Sequence, residues 1–199
     1  MFTGIVEAVG NVASVSPAGK TATVSVSCTG LGLSDVAIGD SIAVNGVCLT
    51  VKRLGTGSMD FDVSAETLEV TAGFQPGQRV NLEKSMRLDA RIGGHLVSGH
   101  VDAVGEVGEI VEYDGNRVMS VKFPPPLGRF FARKGSVAVN GVSLTVNSVQ
   151  EDAFSVNLIP HTMAVTNLGD LEEGGVVNLE IDLVARYVDR MLSETEDGS

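Results

Sequence analysis

The stretch SIAVNGVCLTV, Ser41–Val51, returns as SVAVNGVSLTV, Ser136–Val146, with only Ile42/Val137 and Cys48/Ser143 exchanged. Asn-Gly is a strong hairpin signal, because both central residues of the favoured two-residue turn need positive φ. Asn45-Gly46 and Asn140-Gly141 each mark such a turn. Beyond it, side chains alternate across the strand. Val47, Leu49 and Val51 share one face, and Cys48 and Thr50 the other; the second copy sets Val142, Leu144 and Val146 against Ser143 and Thr145. The apolar triplets fill a core and the small polar pairs point out of it. One such polar face reads equally well as a solvated strand. Two copies that keep it point to a ligand site.

The repeat extends far beyond this hairpin. A shift of 95 residues lays MFTGIVEAVGNV, Met1–Val12, on LVSGHVDAVGEV, Leu96–Val107, and Thr67 on Thr162. Near the end the register slips by two, with VNLE at 80–83 answering VNLE at 177–180. A period this long is a domain duplication; solenoid repeats run to roughly 20–50 residues. The expected units are 1–95, 96–182 and a segment 183–199. Each half reads as about six short Val-rich strands without alternating helices. TATVSVSC alternates cleanly, and FDVSAETLEV and FSVNLIPHTMAV each begin as a strand and then turn. Such a pattern fits a small closed antiparallel barrel, which leaves no free edges. The fold class is therefore all-β, two duplicated barrels followed by a helix. Asp182 caps that helix, and Leu183, Val184, Tyr187, Val188, Met191 and Leu192 form one apolar stripe. A helix this short must pack on something. A barrel and the same helix in another subunit both serve, and the second implies an oligomer.

Composition removes several classes of function. A formal net charge of −11, with no basic cluster longer than Arg129–Lys134, argues against a nucleic-acid surface. No apolar run approaches the roughly 20 residues that span a bilayer. The start, MFTGIVEAVG, lacks a basic segment ahead of an apolar one, which predicts no signal peptide and a cytoplasmic protein. Cys28 and Cys48 are expected to be free thiols. The acidic stretch Glu194–Ser199 reads as a frayed, solvated end. His95 and His100 with the two cysteines lack zinc-ligand spacing, and His95, Ser98, His100 and Asp102 do not share a strand face as a hydrolase triad would. Neither GLGLSD nor GTGSMD completes a phosphate-binding loop.

Two similar sites suit a protein that handles two similar molecules, and a reaction between two copies of one substrate needs the sites to differ. Ile5 answers His100, Cys48 answers Ser143, Asp62 answers Asn157 and Glu66 answers His161. At these residues the chain resembles the lumazine-binding family: MFTGIV, NGVCLTV, GGHLVSGHV and NGVSLTV occur in order and in register over essentially the whole length. The resemblance implies six-stranded Greek-key barrels, C-terminal helices that assemble a homotrimer, and sites between the barrels of neighbouring subunits. It implies an enzyme that transfers a four-carbon unit between two molecules of 6,7-dimethyl-8-ribityllumazine. The products are riboflavin and 5-amino-6-ribitylaminopyrimidinedione, in the final step of riboflavin biosynthesis. It implies no metal and no organic cofactor.

It also implies a set of ligand positions. In the first half these are Gly4, Ile5 and Val6, then Cys48, Leu49 and Thr50, then Asp62, Val63, Ser64, Ala65, Glu66 and Thr67. In the second they are Gly99, His100 and Val101, then Lys134, then Ser143, Leu144 and Thr145, then Asn157, Leu158, Ile159, Pro160, His161 and Thr162. Phe2 lies in the segment resembling the family's catalytic element, and Asp182 matches an acidic residue ahead of its final helix. The residue types suit the chemistry. Extended backbone pairs with the amide-like edges of a pteridine, and Ser, Thr, Asp, Asn and Lys suit ribityl hydroxyls. His100 is the candidate for proton transfer at the acidic C7 methyl group, because imidazole is the side chain most often used as a general acid or base. Cys48 or Ser143 either adds to a ring carbon or orients a water that does so; the sequence leaves both open. Some members of the family hold the chromophore without converting it. They depart at the start of the second barrel and in the Ser-Leu-Thr strand, both intact here, so the enzyme is the expected reading. A purely structural barrel oligomer would bind no flavin precursor.

Overall fold

The computed structural model describes residues 1–196. The first barrel is built from β1 (Ala8–Ala18), β2 (Thr21–Ser27), β3 (Ser41–Val44), β4 (Val47–Gly55), β5 (Ser58–Val63) and β6 (Arg79–Lys84). It closes in the order β1-β2-β5-β4-β3-β6. A short helix α1 (Ala65–Val70) follows β5. The second barrel repeats the plan with β7 (Ala103–Tyr113), β8 (Asn116–Lys122), β9 (Ser136–Val139), β10 (Val142–Val149), β11 (Ala153–Leu158) and β12 (Val176–Ile181). Its order, β10-β11-β8-β7-β12-β9, is the same cycle, and α2 (Pro160–Val165) follows β11. Every pairing is antiparallel, and the order is that of a Greek key.

The alternation read from the sequence places the cores. Val47, Leu49 and Val51 are buried in one barrel and Val142, Leu144 and Val146 in the other, while Cys48 and Ser143 are half-buried and Thr50 and Thr145 exposed. Both copies of this strand carry a bulge at the same place, after Val51 and after Val146. A bulge bends the strand and helps a six-stranded sheet curl into closure. The segments expected only to turn after β5 and β11 instead wind one helical turn each. Ser64 caps the first through its hydroxyl, and Pro160 opens the second at a position where its missing N–H costs nothing.

The barrels meet around a local twofold relation. Phe2 and Val97 pair as an isolated antiparallel bridge, each N–H donating to the other's carbonyl at 2.7 and 3.1 Å. From there the two chain segments cross. Gly4 O accepts from Ser143 N, and Gly99 O accepts from Cys48 N, both at 2.8 Å. Val6 packs on the second core and Val101 on the first. The lead-in to each barrel therefore completes the other one. Glu83 and Glu180 hold the crossing segments in place. Glu83 accepts from Thr3 N, Thr3 Oγ1 and Gly4 N, and Glu180 accepts from Ser98 N, Ser98 Oγ and Gly99 N. Burial pushes both carboxyls above the ordinary range, against the pull of these hydrogen bonds. Asn81 Nδ2 donates to Asn140 O and Asn178 Nδ2 to Asn45 O, tying the two Asn-Gly turns across the interface.

After β12 the chain enters α3 (Leu183–Glu196). Asp182 Oδ1 accepts from Val184 N at 2.9 Å, the expected cap. Arg186 donates to both oxygens of Asp102 at 2.8 and 2.9 Å, and Arg129 pairs with Asp189. These contacts fix one flank of the helix. The apolar stripe is left open: Val184, Tyr187, Val188, Met191 and Leu192 are all exposed. The helix runs to Glu196, into the acidic stretch expected to fray; residues 197–199 lie outside the described part. Among the described residues, no helix is long and apolar enough to cross a membrane.

Candidate active site

The crossing of the two lead-in segments sorts the expected ligand residues differently from their order in the chain. Gly4 lies against Ser143 of β10 and Val6 packs on the second core, while Ile5 lies beside Gly93. Gly99 lies against Cys48 of β4, His100 and Val101 border the same pocket, and Val101 packs on the first core. Sequence order grouped them by half because nothing local records that a segment packs on the other barrel. The contacts are close enough to demand glycine. Gly4 and Gly99 have φ of +73° and +80°, and a Cβ on either would come within 2.6 Å of the Cβ of Ser143 or Cys48.

On the first barrel this assembly leaves a pocket of about 250 Å³ lined by Cys48, Glu66, Thr67, Gly99, His100 and Val101. Cys48 lies at its floor, the turn of α1 forms one wall and the crossing segment the other. His100 is exposed and also borders a second hollow of about 470 Å³, which it shares with Met1, Asp102, Leu183 and Tyr187. His100 thus stands between the Cys48 pocket and the open face of α3. The remaining expected residues divide by orientation. The side chains of Leu49, Val63, Leu144 and Leu158 point into the barrel cores, so only their backbone is available to a ligand. Ser64 caps α1, with Ala65 half-buried behind it. Asp62 is exposed on the outside of the barrel, where the Lys52 ammonium and the Thr23 hydroxyl hold it ionised and pull its pKa down. Asn157, Ile159, Pro160 and His161 are exposed and Thr162 half-buried, forming the equivalent wall beside β10. Lys134 is exposed at a left-handed turn, φ +70°, whose N–H donates to Val146 O.

Two residues expected to do chemistry have structural places. Phe2 is fully buried between the barrels with Ala43, Val97 and Ala138, where its ring packs at the crossing of the two lead-in segments. Asp182 caps α3, and its carboxylate acts on His95. His95, which fits neither a zinc set nor a hydrolase triad by spacing, has its Nδ1 2.7 Å from Ser143 Oγ. Glu83, Glu180, Asn81 and Asn178, which join the crossing segments and the Asn-Gly turns, are all carried by the doubled VNLE tetrapeptide, whose repetition is their one signal in the sequence.

What this geometry defines is a duplicated small-molecule-binding barrel, each copy completed by the lead-in of the other. The Lumazine binding domain model matches residues 3–85 and 98–182, and the chain belongs to that family. Among its relatives, the riboflavin synthase of Photobacterium phosphoreum is 48% identical over 194 residues, covering 96% of this chain and 89% of that protein. The riboflavin synthase of Bacillus subtilis (strain 168) is 39% identical over 200 residues, covering 100% and 93%. The crystal structure of LumP complexed with 6,7-dimethyl-8-(1'-D-ribityl) lumazine superposes with a TM-score of 0.81 at 27% identity, covering 91% of this chain and 99% of that one.

Proposed function

We propose that this protein is a riboflavin synthase, converting two molecules of 6,7-dimethyl-8-ribityllumazine into riboflavin and 5-amino-6-ribitylaminopyrimidinedione. The observation that carries the reading is the pair of related but unequal sites on β4 and β10, each finished by a glycine of the crossing segment, in a chain 48% identical to a riboflavin synthase. The reaction moves four carbons from one substrate molecule to a second of the same kind, so it needs two places for one ligand and different groups at each. Backbone edges at Gly4–Val6 and Gly99–Val101 suit the pteridine, and Thr50, Glu66, Thr67, Thr145 and Asn157 suit the ribityl chains. His100, at the mouth of the Cys48 pocket, takes a proton from the C7 methyl group. Much of the acceleration comes from holding two substrates in reactive geometry.

The exposed stripe on α3 favours a homotrimer in which these helices pack together and bring the Cys48 pocket of one subunit toward the Ser143 site of the next. We read the chain as two lumazine-binding units, 1–95 and 96–182, with 183–199 as the assembly segment, acting in the cytoplasm without metal or organic cofactor. A binding role without conversion is the weaker reading. The relation to LumP is 27% identical against 48% for the enzyme, and both histidines of GGHLVSGHV and Ser143 are retained. The test is to incubate the protein with the lumazine alone, with chelator present. Riboflavin formed at half the molar amount of lumazine consumed supports the enzyme. Binding without riboflavin overturns it.

A further inference from the structure

Cys48 and Ser143 hold equivalent places on β4 and β10, but their surroundings differ. Cys48 faces the open pocket beside His100. Ser143 is covered by the connection between the barrels. The backbone of Gly94 passes so close that a Cβ there would lie 2.6 Å from Ser143 Oγ, and His95 Nδ1 lies 2.7 Å from the same oxygen. His95 is anchored at its own backbone, whose N–H donates to Thr3 O at 3.2 Å. Thr3 in turn precedes Gly4, whose carbonyl takes the Ser143 N–H. One short circuit of contacts therefore fixes both the backbone and the hydroxyl of Ser143.

The other ring nitrogen fixes the direction of that hydrogen bond. His95 Nε2 is buried and has no partner among the described residues. A buried N–H without an acceptor is a costlier orphan than a bare lone pair. The network therefore assigns the proton to Nδ1, which donates to Ser143 Oγ. Burial favours this neutral ring by holding its pKa below the ordinary value, while the Asp182 carboxylate pulls weakly the other way. With one lone pair of Oγ engaged, the Ser143 O–H is free to turn outward, toward the face shared with Thr145 and the Gly4–Val6 segment.

We propose that His95 is a positioning residue for the second-barrel site: it holds Ser143 as a hydrogen-bond donor aimed at the heteroatom edge of the bound lumazine. The inference rests on the reading of the two sites as lumazine sites, and it makes them unequal in rigidity as well as in residue type. The Ser143 site is preorganised by the connection, and the Cys48 site is open.

The experiment uses the full chain with 6,7-dimethyl-8-ribityllumazine, measuring Kd by fluorescence titration and kcat by riboflavin formation. The variants are His95→Ala, His95→Asn, Ser143→Ala and the double His95→Ala/Ser143→Ala. Asn keeps an amide donor where Nδ1 stood, so it also guards against a variant that merely folds poorly. Loss of one aimed hydrogen bond is worth about tenfold. His95→Ala and Ser143→Ala should each lose about that factor, the double should lose no more than Ser143→Ala alone, and His95→Asn should recover most of the loss. Losses that multiply in the double, or an Asn variant no better than Ala, overturn the proposal. If the protein binds lumazine but makes no riboflavin, the enzyme reading fails, and the same cycle on Kd still decides the role of His95. If it binds no lumazine, both fall together.

Discussion

Gly46 and Gly141 stand back to back where the barrels meet: a Cβ on either would lie 2.7 Å from the backbone nitrogen of the other. Both are the second residue of an Asn-Gly turn, with φ of +78° and +77°. The same dipeptide that turns each hairpin therefore lets the two hairpins touch. Gly46→Ala should cost about 1–2 kcal/mol for the left-handed backbone alone. The clash with unyielding backbone adds to this, so the urea midpoint should fall markedly. A midpoint equal to wild type would mean that the hairpins do not meet.

Phe2 joins that interface through its bridge to Val97. Truncating a fully buried phenylalanine costs about 3–5 kcal/mol in a well-packed site. Phe2→Ala should therefore lower stability and weaken both sites together, because the bridge to Val97 sets both crossing segments. Loss of activity with unchanged stability would place the ring in the chemistry instead.

Glu83 gives a signed pH dependence. Its folded pKa is raised above the ordinary 4.5, so the stability it contributes is fully present below about that pH and is lost as pH rises through the raised value. Glu83→Gln removes the titration. The stability of the variant relative to wild type should improve as pH rises above 4.5, read from urea midpoints across a pH series. A constant difference would show that the carboxyl does not titrate there.

Ending the chain before Leu183 removes the exposed stripe of α3 but no barrel strand. Circular dichroism should stay that of a β protein while the sedimentation coefficient drops to that of a monomer. An unchanged assembly would assign the subunit contact to the barrels.

His100 is exposed, so His100→Ala should alter stability by no more than about 0.5 kcal/mol. If His100 carries the proton transfer proposed above, the variant should nevertheless lose kcat roughly 100-fold. Full turnover in this variant would remove His100 from the mechanism.

The doubled NGVxLTV strand determined a great deal without coordinates. Period-2 alternation fixes which of Val47, Cys48, Leu49 and Thr50 face the core, and Asn-Gly fixes the turn, because both are local properties of the backbone. The offset of 95 residues made two like domains legible, and the capping Asp182 and the apolar stripe marked the final helix. Tertiary structure decided what joins them. That Gly4 packs on Ser143 and Gly99 on Cys48 depends on contacts between residues more than 50 positions apart, with no periodic trace. His95, 48 positions from Ser143, likewise reaches it only because the connection folds back over β10. Glu83 and Glu180 look like surface charges in a strand until their carboxylates are seen to bind the N–H groups of a segment that belongs, in sequence, to the start of a barrel. Local alternation is written in each strand; the exchange of lead-in segments follows from how the two closed surfaces fit.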